Sequence, residues 1–274
     1  MDKIYLQTYS LGDARFEDFE GSLKKLAEIG YCGVEFAGDY VGMDPKRLKE
    51  ILDKYNLDAI CAHVVPNDVE RDLQLLAEIG ARYIVYPMAH MESYDSVMKT
   101  AEALNDAGKK CAAAGLKYGY HNHTQEFAEV NGKYILDHLI ENTDPDTVIF
   151  QLDVGWCTTA GINAVDYINK YAGRFELIHA KEAGKVIGVQ PPVDFSKMQV
   201  DADGKFILTD EMKAAIDEAH KMNTPQGKGI VDWNAVKAAA DAQGAKAYIV
   251  EREWDYLDDI FQCVKEDYEF MRTL

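Results

Sequence analysis

Two hydrophobic periods alternate along this chain. In segments such as L-K-K-L-A-E-I (Leu23 to Ile29) apolar residues return every three to four positions, the spacing of an amphipathic helix with one buried face. In G-V-E-F (Gly33 to Phe36) and Y-I-V-Y (Tyr83 to Tyr86) they form short bounded runs of the kind that fills a buried strand. The two patterns are joined in a weak internal repeat. L-K-K-L-A-E-I-G-Y-C-G-V-E-F (Leu23 to Phe36) returns as L-Q-L-L-A-E-I-G-A-R-Y-I-V-Y (Leu73 to Tyr86), with looser copies at Lys109 to Tyr120 and Ala238 to Glu251. Each copy is the end of a helix, a glycine where the helix stops, then a strand, and a helix feeding a strand four times over implies parallel strands with crossover helices.

Completing the pattern predicts strands at Ile4 to Tyr9, Gly33 to Ala37, Ala59 to Val64, Tyr83 to Pro87, Lys117 to Asn122, Thr147 to Asp153, Phe175 to Lys181 and Ala247 to Glu251. Helices are predicted at Phe16 to Ile29, Pro45 to Tyr55, Val69 to Ile79, Ser93 to Ala114, Lys133 to Glu141, Ala164 to Tyr171, Trp233 to Gln243 and Leu257 to Met271. Eight of each in alternation is the count of an α/β fold of the single (β/α)8 TIM-barrel kind; an open doubly wound sheet is the other arrangement this order allows. The rhythm breaks once. Between Glu182 and Val231 lies a polar, proline-bearing insertion containing a helix-like stretch from Asp210 to Met222. It follows strand 7, so on a barrel it belongs to the active face, where it is expected to cover the pocket. No linker or low-complexity run divides residues 1–274, which read as one domain.

Composition narrows the partners. The 274 residues are 47% hydrophobic, enough for a large core, and carry a formal net charge of -18, which repels phosphate backbones and anionic lipid while attracting cations. Nucleic acid and membrane are therefore excluded as expected partners. Cys32, Cys61, Cys111, Cys157 and Cys263 are odd in number, widely spaced and without a C-x-x-C pair, and read as reduced, buried residues of a cytoplasmic chain. No basic, apolar leader and no run approaching ~18 apolar residues is visible.

The chemistry collects at strand ends. Asp153 closes V-I-F-Q-L-D, His179 closes E-L-I-H and Glu251 closes A-Y-I-V-E. A lone strand-end Asp most often caps the next helix, but three such ends on one barrel rim converge as a metal site would require. Mixed carboxylate and imidazole donors suit one Mn, Co or Zn ion better than Mg, which prefers oxygen alone. The run L-K-Y-G-Y-H-N-H-T-Q-E-F adds His121 and His123, which alternation puts on one face with Gly119, while Asn122 points away. Lys181 shares the face of His179. Tyr9, Glu35 and His63, with Asn122 and the tryptophans Trp156 and Trp254, are candidates for lining a substrate pocket.

Taken together, L-Q-T-Y-S-L, G-Y-C-G-V-E-F, G-Y-H-N-H-T-Q-E-F, L-D-V-G-W, H-A-K-E, G-K-G-I-V-D-W and V-E-R-E make the chain resemble, end to end, the sugar phosphate isomerase/epimerase group of xylose isomerase-like TIM barrels. That group also includes ketose 3-epimerases, inosose dehydratases and endonucleases of the endonuclease IV type. The resemblance implies one divalent ion held by Glu, Asp, His and Glu from strands five to eight. By motif Asp153, His179 and Glu251 match the last three. The first glutamate, three residues before an Asn in the epimerases, falls here on Gly119; Glu126, His121, His123 or water are its candidate replacements.

What this implies is an enzyme that abstracts a proton next to the carbonyl of a sugar, sugar phosphate, keto-sugar or cyclic polyol. The outcome expected first is isomerisation or epimerisation. A dehydratase or lyase acting on a keto-sugar or inosose is the alternative, and a non-catalytic carbohydrate-binding barrel a further one. With a carboxylate missing at Gly119, the base is expected among His121, His123 and Lys181. A small-molecule carbohydrate is the partner; self-association into a homo-oligomer is left open.

Overall fold

The computed structural model describes residues 3–38, 40, 42–191, 209, 213, 223–253 and 259–274. Eight parallel strands close into a barrel: β1 (Ile4–Gln7), β2 (Gly33–Phe36), β3 (Asp58–His63), β4 (Tyr83–Tyr86), β5 (Lys117–His121), β6 (Val148–Asp153), β7 (Phe175–Ala180) and β8 (Ala247–Val250). They pair in chain order around the ring, and β8 returns to β1 with Ile4 opposite Tyr248 and Leu6 opposite Val250. The closed barrel, not the open sheet, is the arrangement adopted, so every strand finds two hydrogen-bonding neighbours and no edge is left.

The helical stripe predicted at each crossover is the face that packs on the barrel. Helix Pro45–Tyr55 begins at an Asp44 cap with proline in its first turn and ends at Asn56 in the left-handed region, burying Leu48, Ile51 and Leu52. Helix Val69–Ile79 ends at Gly80 with φ 86°, and Trp233–Gln243 at Gly244 with φ 95°. One predicted helix is divided. Asp18 leaves helical geometry and its carboxylate accepts the Gly21 N–H at 2.9 Å, separating Ala14–Glu17 from Phe19–Ile29.

Two apolar layers result. The larger lies between strands and helices; the smaller, with Tyr5, Cys61, Tyr83, Ile149, Leu177 and Ile249, plugs the barrel's lower interior. Above the plug the inward positions turn polar: Gln7, Glu35, His121, Gln151, Asp153 and His179 are all buried. Most predicted strands end one or two residues early. Tyr9 lies in a 3-10 turn whose N–H is held by Gln7, and Lys181 and Glu251 stand just past the ladder at the mouth.

Most of the insertion after β7, including the predicted helix at 210–222 apart from Lys213, lies outside the described residues. Its described ends are anchored. Ile187 and Gly188 donate to Thr159 O at 3.0 and 3.1 Å, and Gln190 N–H to Thr124 Oγ1 at 3.1 Å. At the return, the buried Glu182 carboxylate accepts from Gly227 N–H at 2.8 Å and from the Trp233 indole at 2.7 Å.

Candidate metal centre

Strand register sets the centre. Asp153 is paired with His179 across β6 and β7, and Ile249 with His179 across β7 and β8, so the residues at or just beyond these strand ends rise into one space. Asp153, His179 and Glu251 bring one ligand atom each within 4.8 Å of one another. His179 Nδ1 is 3.1 Å from Asp153 Oδ2 and 3.8 Å from Glu251 Oε2. Asp153 also caps the following helix through the Trp156 N–H at 2.6 Å, so its cap role and its place in the cluster coexist on two different oxygens. His63, His121 and His179 form a second group of the same kind.

Electrostatics say what the cluster lacks. Burial alone would pull the His179 imidazole down, but Glu251, Asp153 and Glu35 push it up to about 10. Burial would raise Glu35, yet His63 and His179 hold it well below the usual carboxylate range. Asp153 is raised by burial despite His179. A buried imidazole that keeps a second proton so far into the alkaline range is answering surplus negative charge, and a divalent cation would answer it better. The donor set therefore fits such an ion, which Asp153, His179 and Glu251 would hold.

The remaining predicted residues divide. Tyr9, His63, His121, His123 and Glu251 line a cavity of about 430 Å³ open at the rim, together with Glu253 and Arg71. His123 Nδ1 and Trp156 Nε1 are buried without a hydrogen-bond partner, their rings 5.7 Å apart. Burial lowers His121 well below its ordinary value and pushes His123 down to about 3, so both rings are neutral. Lys181 departs from the expectation of a base: it lies 3.3 Å from Glu251 and 2.8 Å from Glu253, which outweigh burial and hold it as an ammonium well above its usual value. Glu126 sits apart from the cluster, accepting from Tyr120 and the His123 N–H, each at 2.7 Å. Asn122 is spent on the backbone: its Oδ1 takes the Asp153 N–H at 3.0 Å, tying β5 to β6. Glu35 stands beneath the pocket, not in its lining, and Trp254 lies outside the described residues.

Glu253 is the residue the sequence reading missed. It is two positions beyond Glu251 in V-E-R-E, so the alternation that pairs His179 with Lys181 pairs these two acids as well. Burial raises its carboxyl.

Residues 23–274 match the xylose isomerase-like TIM barrel family, and the chain belongs to that family. Inosose dehydratase of Geobacillus kaustophilus (strain HTA426) is 27% identical over 201 residues, 63% of this chain and 64% of that protein, so this match spans slightly under two thirds of the relative's length. Inosose dehydratase of Geobacillus thermodenitrificans (strain NG80-2) is 25% identical over 268 residues, 86% of this chain and 83% of that protein. The crystal structure of a sugar phosphate isomerase/epimerase from Parabacteroides distasonis ATCC 8503 aligns with a TM-score of 0.76 at 25% identity, covering 99% of this chain and 94% of that one.

Proposed function

We propose that this member of the xylose isomerase-like TIM barrel family is a divalent-metal-dependent dehydratase of an unphosphorylated keto-sugar or keto-cyclitol, starting by proton abstraction beside the carbonyl. Of the outcomes expected from sequence, the geometry favours elimination over epimerisation. The observation that carries this is one-sidedness. Epimerisation by two carboxylates needs one on each face of the substrate, whereas here the pocket acids Glu251 and Glu253 lie together on the β8 side and Gly119 stands where the other would be. The inosose dehydratase relatives support the same outcome.

When bound, the ion supplies Lewis acidity that weakens the C–H bond beside the carbonyl. Asp153, His179 and Glu251 would hold it. Glu253 takes the α-proton and returns it to the β-hydroxyl on the same face, which leaves as water and gives the unsaturated carbonyl product. Lys181, 2.8 Å from Glu253, orients that carboxylate and offsets the charge developing beside it. His123 and Trp156, with unpartnered ring nitrogens, suit the substrate's hydroxyls, and the indole also stacks under the Lys181 ammonium at 4.7 Å.

The absence of phosphate is argued from the wall. Among the described residues lining the cavity, Arg71 is the one guanidinium or ammonium group, and its nitrogens are engaged by Asp72 at 2.7 Å and Asp68 at 3.3 Å. The test is a screen of keto-sugars and inososes with the metal-loaded protein in deuterated water. Loss of one water from a substrate, falling roughly 10²- to 10⁴-fold in Glu253→Gln with metal retained, is expected. Epimer formation without loss of water overturns the reading; no C–H exchange with any substrate points to the non-catalytic binder.

A further inference from the structure

The position expected to supply the fourth ligand is a crowded glycine. A Cβ built at Gly119 would lie 2.7 Å from Ile149 Cδ1 and 3.2 Å from the Ile149 carbonyl oxygen. Ile149 belongs to the apolar plug, so Gly119 is at the depth of the lower core, and a side chain there would have to shift the tip of Ile149 and point into apolar surroundings.

One pleat nearer the rim, on the same face, is His121. Its Nδ1 is 2.9 Å from Gln151 Oε1. The other end of that amide donates to Glu35 Oε2 at 2.6 Å. An ionised carboxylate only accepts, so the Gln151 amide has one orientation and its oxygen must be the acceptor for His121. The proton of His121 is thereby placed on Nδ1 and the lone pair on Nε2. That bare nitrogen lies 4.0 Å from Asp153 Oδ2, the same oxygen that is 3.1 Å from His179 Nδ1. Glu35 acts on His179 too: its Oε1 takes the Nε2–H at 3.1 Å, leaving Nδ1 to face Asp153 and Glu251. Gln7 at 2.6 Å, His63 Nε2 at 3.1 Å and the Cys61 thiol complete the cradle of the Glu35 carboxylate. One buried anion therefore fixes the outer proton of both imidazoles, leaving His121 Nε2 bare on the side of Asp153 and the His179 Nδ1 proton, shared with Asp153 at 3.1 Å, as the one an ion would displace.

We propose that His121 Nε2 is the fourth protein ligand of the divalent ion, standing in for the carboxylate absent at Gly119, with Glu35 and Gln151 as positioning residues that preset the two imidazoles. The proposal rests on the metal-centre reading above. It makes the site two imidazoles and two carboxylates, which favours zinc, cobalt or manganese over magnesium, and removes His121 from the candidates for the base.

The test counts nitrogens. The full-length protein is loaded with Cu²⁺ as a probe and coordinated imidazoles are counted by pulsed electron paramagnetic resonance, with Zn²⁺ affinity measured by competition against a chromophoric chelator. Two imidazoles are expected in the wild type, one in His121→Ala and two in His63→Ala. Zn²⁺ affinity should fall on the order of 10- to 100-fold in Gln151→Leu, and at least as far in His121→Ala. A single imidazole in the wild type, or unchanged Zn²⁺ affinity in His121→Ala, overturns the proposal; the wild-type count decides it even if the variant does not fold. A wild type that binds neither ion overturns the metal-centre reading itself.

Discussion

The two ends of the barrel both carry ionic networks, and they are built to opposite rules. At the amino-terminal end Asp58 accepts from Tyr5 at 3.0 Å and from Arg82 at 2.6 Å, while Glu176 accepts from Tyr83 at 2.9 Å and from Lys117. Two carboxylates meet two cations, all partly exposed. At the carboxyl-terminal end, among the described residues, the carboxylates Glu35, Asp153, Glu251 and Glu253 face the Lys181 ammonium and the His179 and His63 imidazoles, so four carboxylates meet one permanent cation, nearly all withdrawn from water. Charges balanced among themselves near water hold a fold together modestly. Buried charges left unbalanced are costly, and they persist where a cation or a reaction supplies the missing charge.

The sharpest way to break this contrast is to neutralise the upper surplus. Glu251→Gln or Asp153→Asn should abolish stable metal binding and lower turnover by roughly three orders of magnitude, the several kcal/mol expected of a lost Lewis acid. The metal-free Asp153→Asn variant should nevertheless melt no lower than the metal-free wild type, because a carboxylate that burial disfavours is removed while the side-chain oxygen that caps the next helix is kept. Metal-free Glu251→Gln should instead melt lower, having left Lys181 and His179 without a partner. Metal content by mass spectrometry beside calorimetric melting checks both halves, and a variant that keeps its ion and its turnover would erase the distinction between the two ends.

Metal removal comes next in size. Restoring an ion at a hundredfold excess over its Kd should stabilise the stripped protein by about 2.7 kcal/mol, and the gain should be the same in an Arg82→Ala background. Calorimetry with and without added Mn²⁺ measures it; a gain that vanishes in Arg82→Ala would mean that the ends are coupled.

Arg82→Ala itself should cost about 1 kcal/mol of stability and leave kcat untouched, since it opens a partly exposed pair far from the pocket. Denaturant unfolding and steady-state kinetics report the two quantities.

The smallest effect concerns alkali. Burial, then the charge of Asp58, push the Tyr5 hydroxyl from 10.0 up to about 12, against the opposing pull of Arg82. A raised value in the folded state means that unfolding releases a proton, so this stabilisation is complete below pH 10.0 and is lost as pH rises toward about 12. Tyr5→Phe should flatten the decline across that window, as urea titrations at stepped pH would show.

Local periodicity was enough to determine the eight strands, most crossover helices and the three strand ends carrying Asp153, His179 and Glu251. Helix caps such as Asp44 and Gly80, and alternation along a strand, are set by neighbours a few residues away, and so are legible one residue at a time. Glu253 was legible by the same rule, two places beyond Glu251. What only the tertiary structure decided lies across strands. That Gly119 is crowded by Ile149, that Lys181 is held between Glu251 and Glu253, that Asn122 serves the backbone, and that Glu35 reaches His179 directly and His121 through Gln151 depend on which side chains meet inside a closed ring. Those meetings join residues as distant in sequence as Glu35 and His179, 144 positions apart. Burial and proton sharing among such partners are properties of the assembled barrel, because the desolvation that shifts a buried group exists only once the other strands have surrounded it.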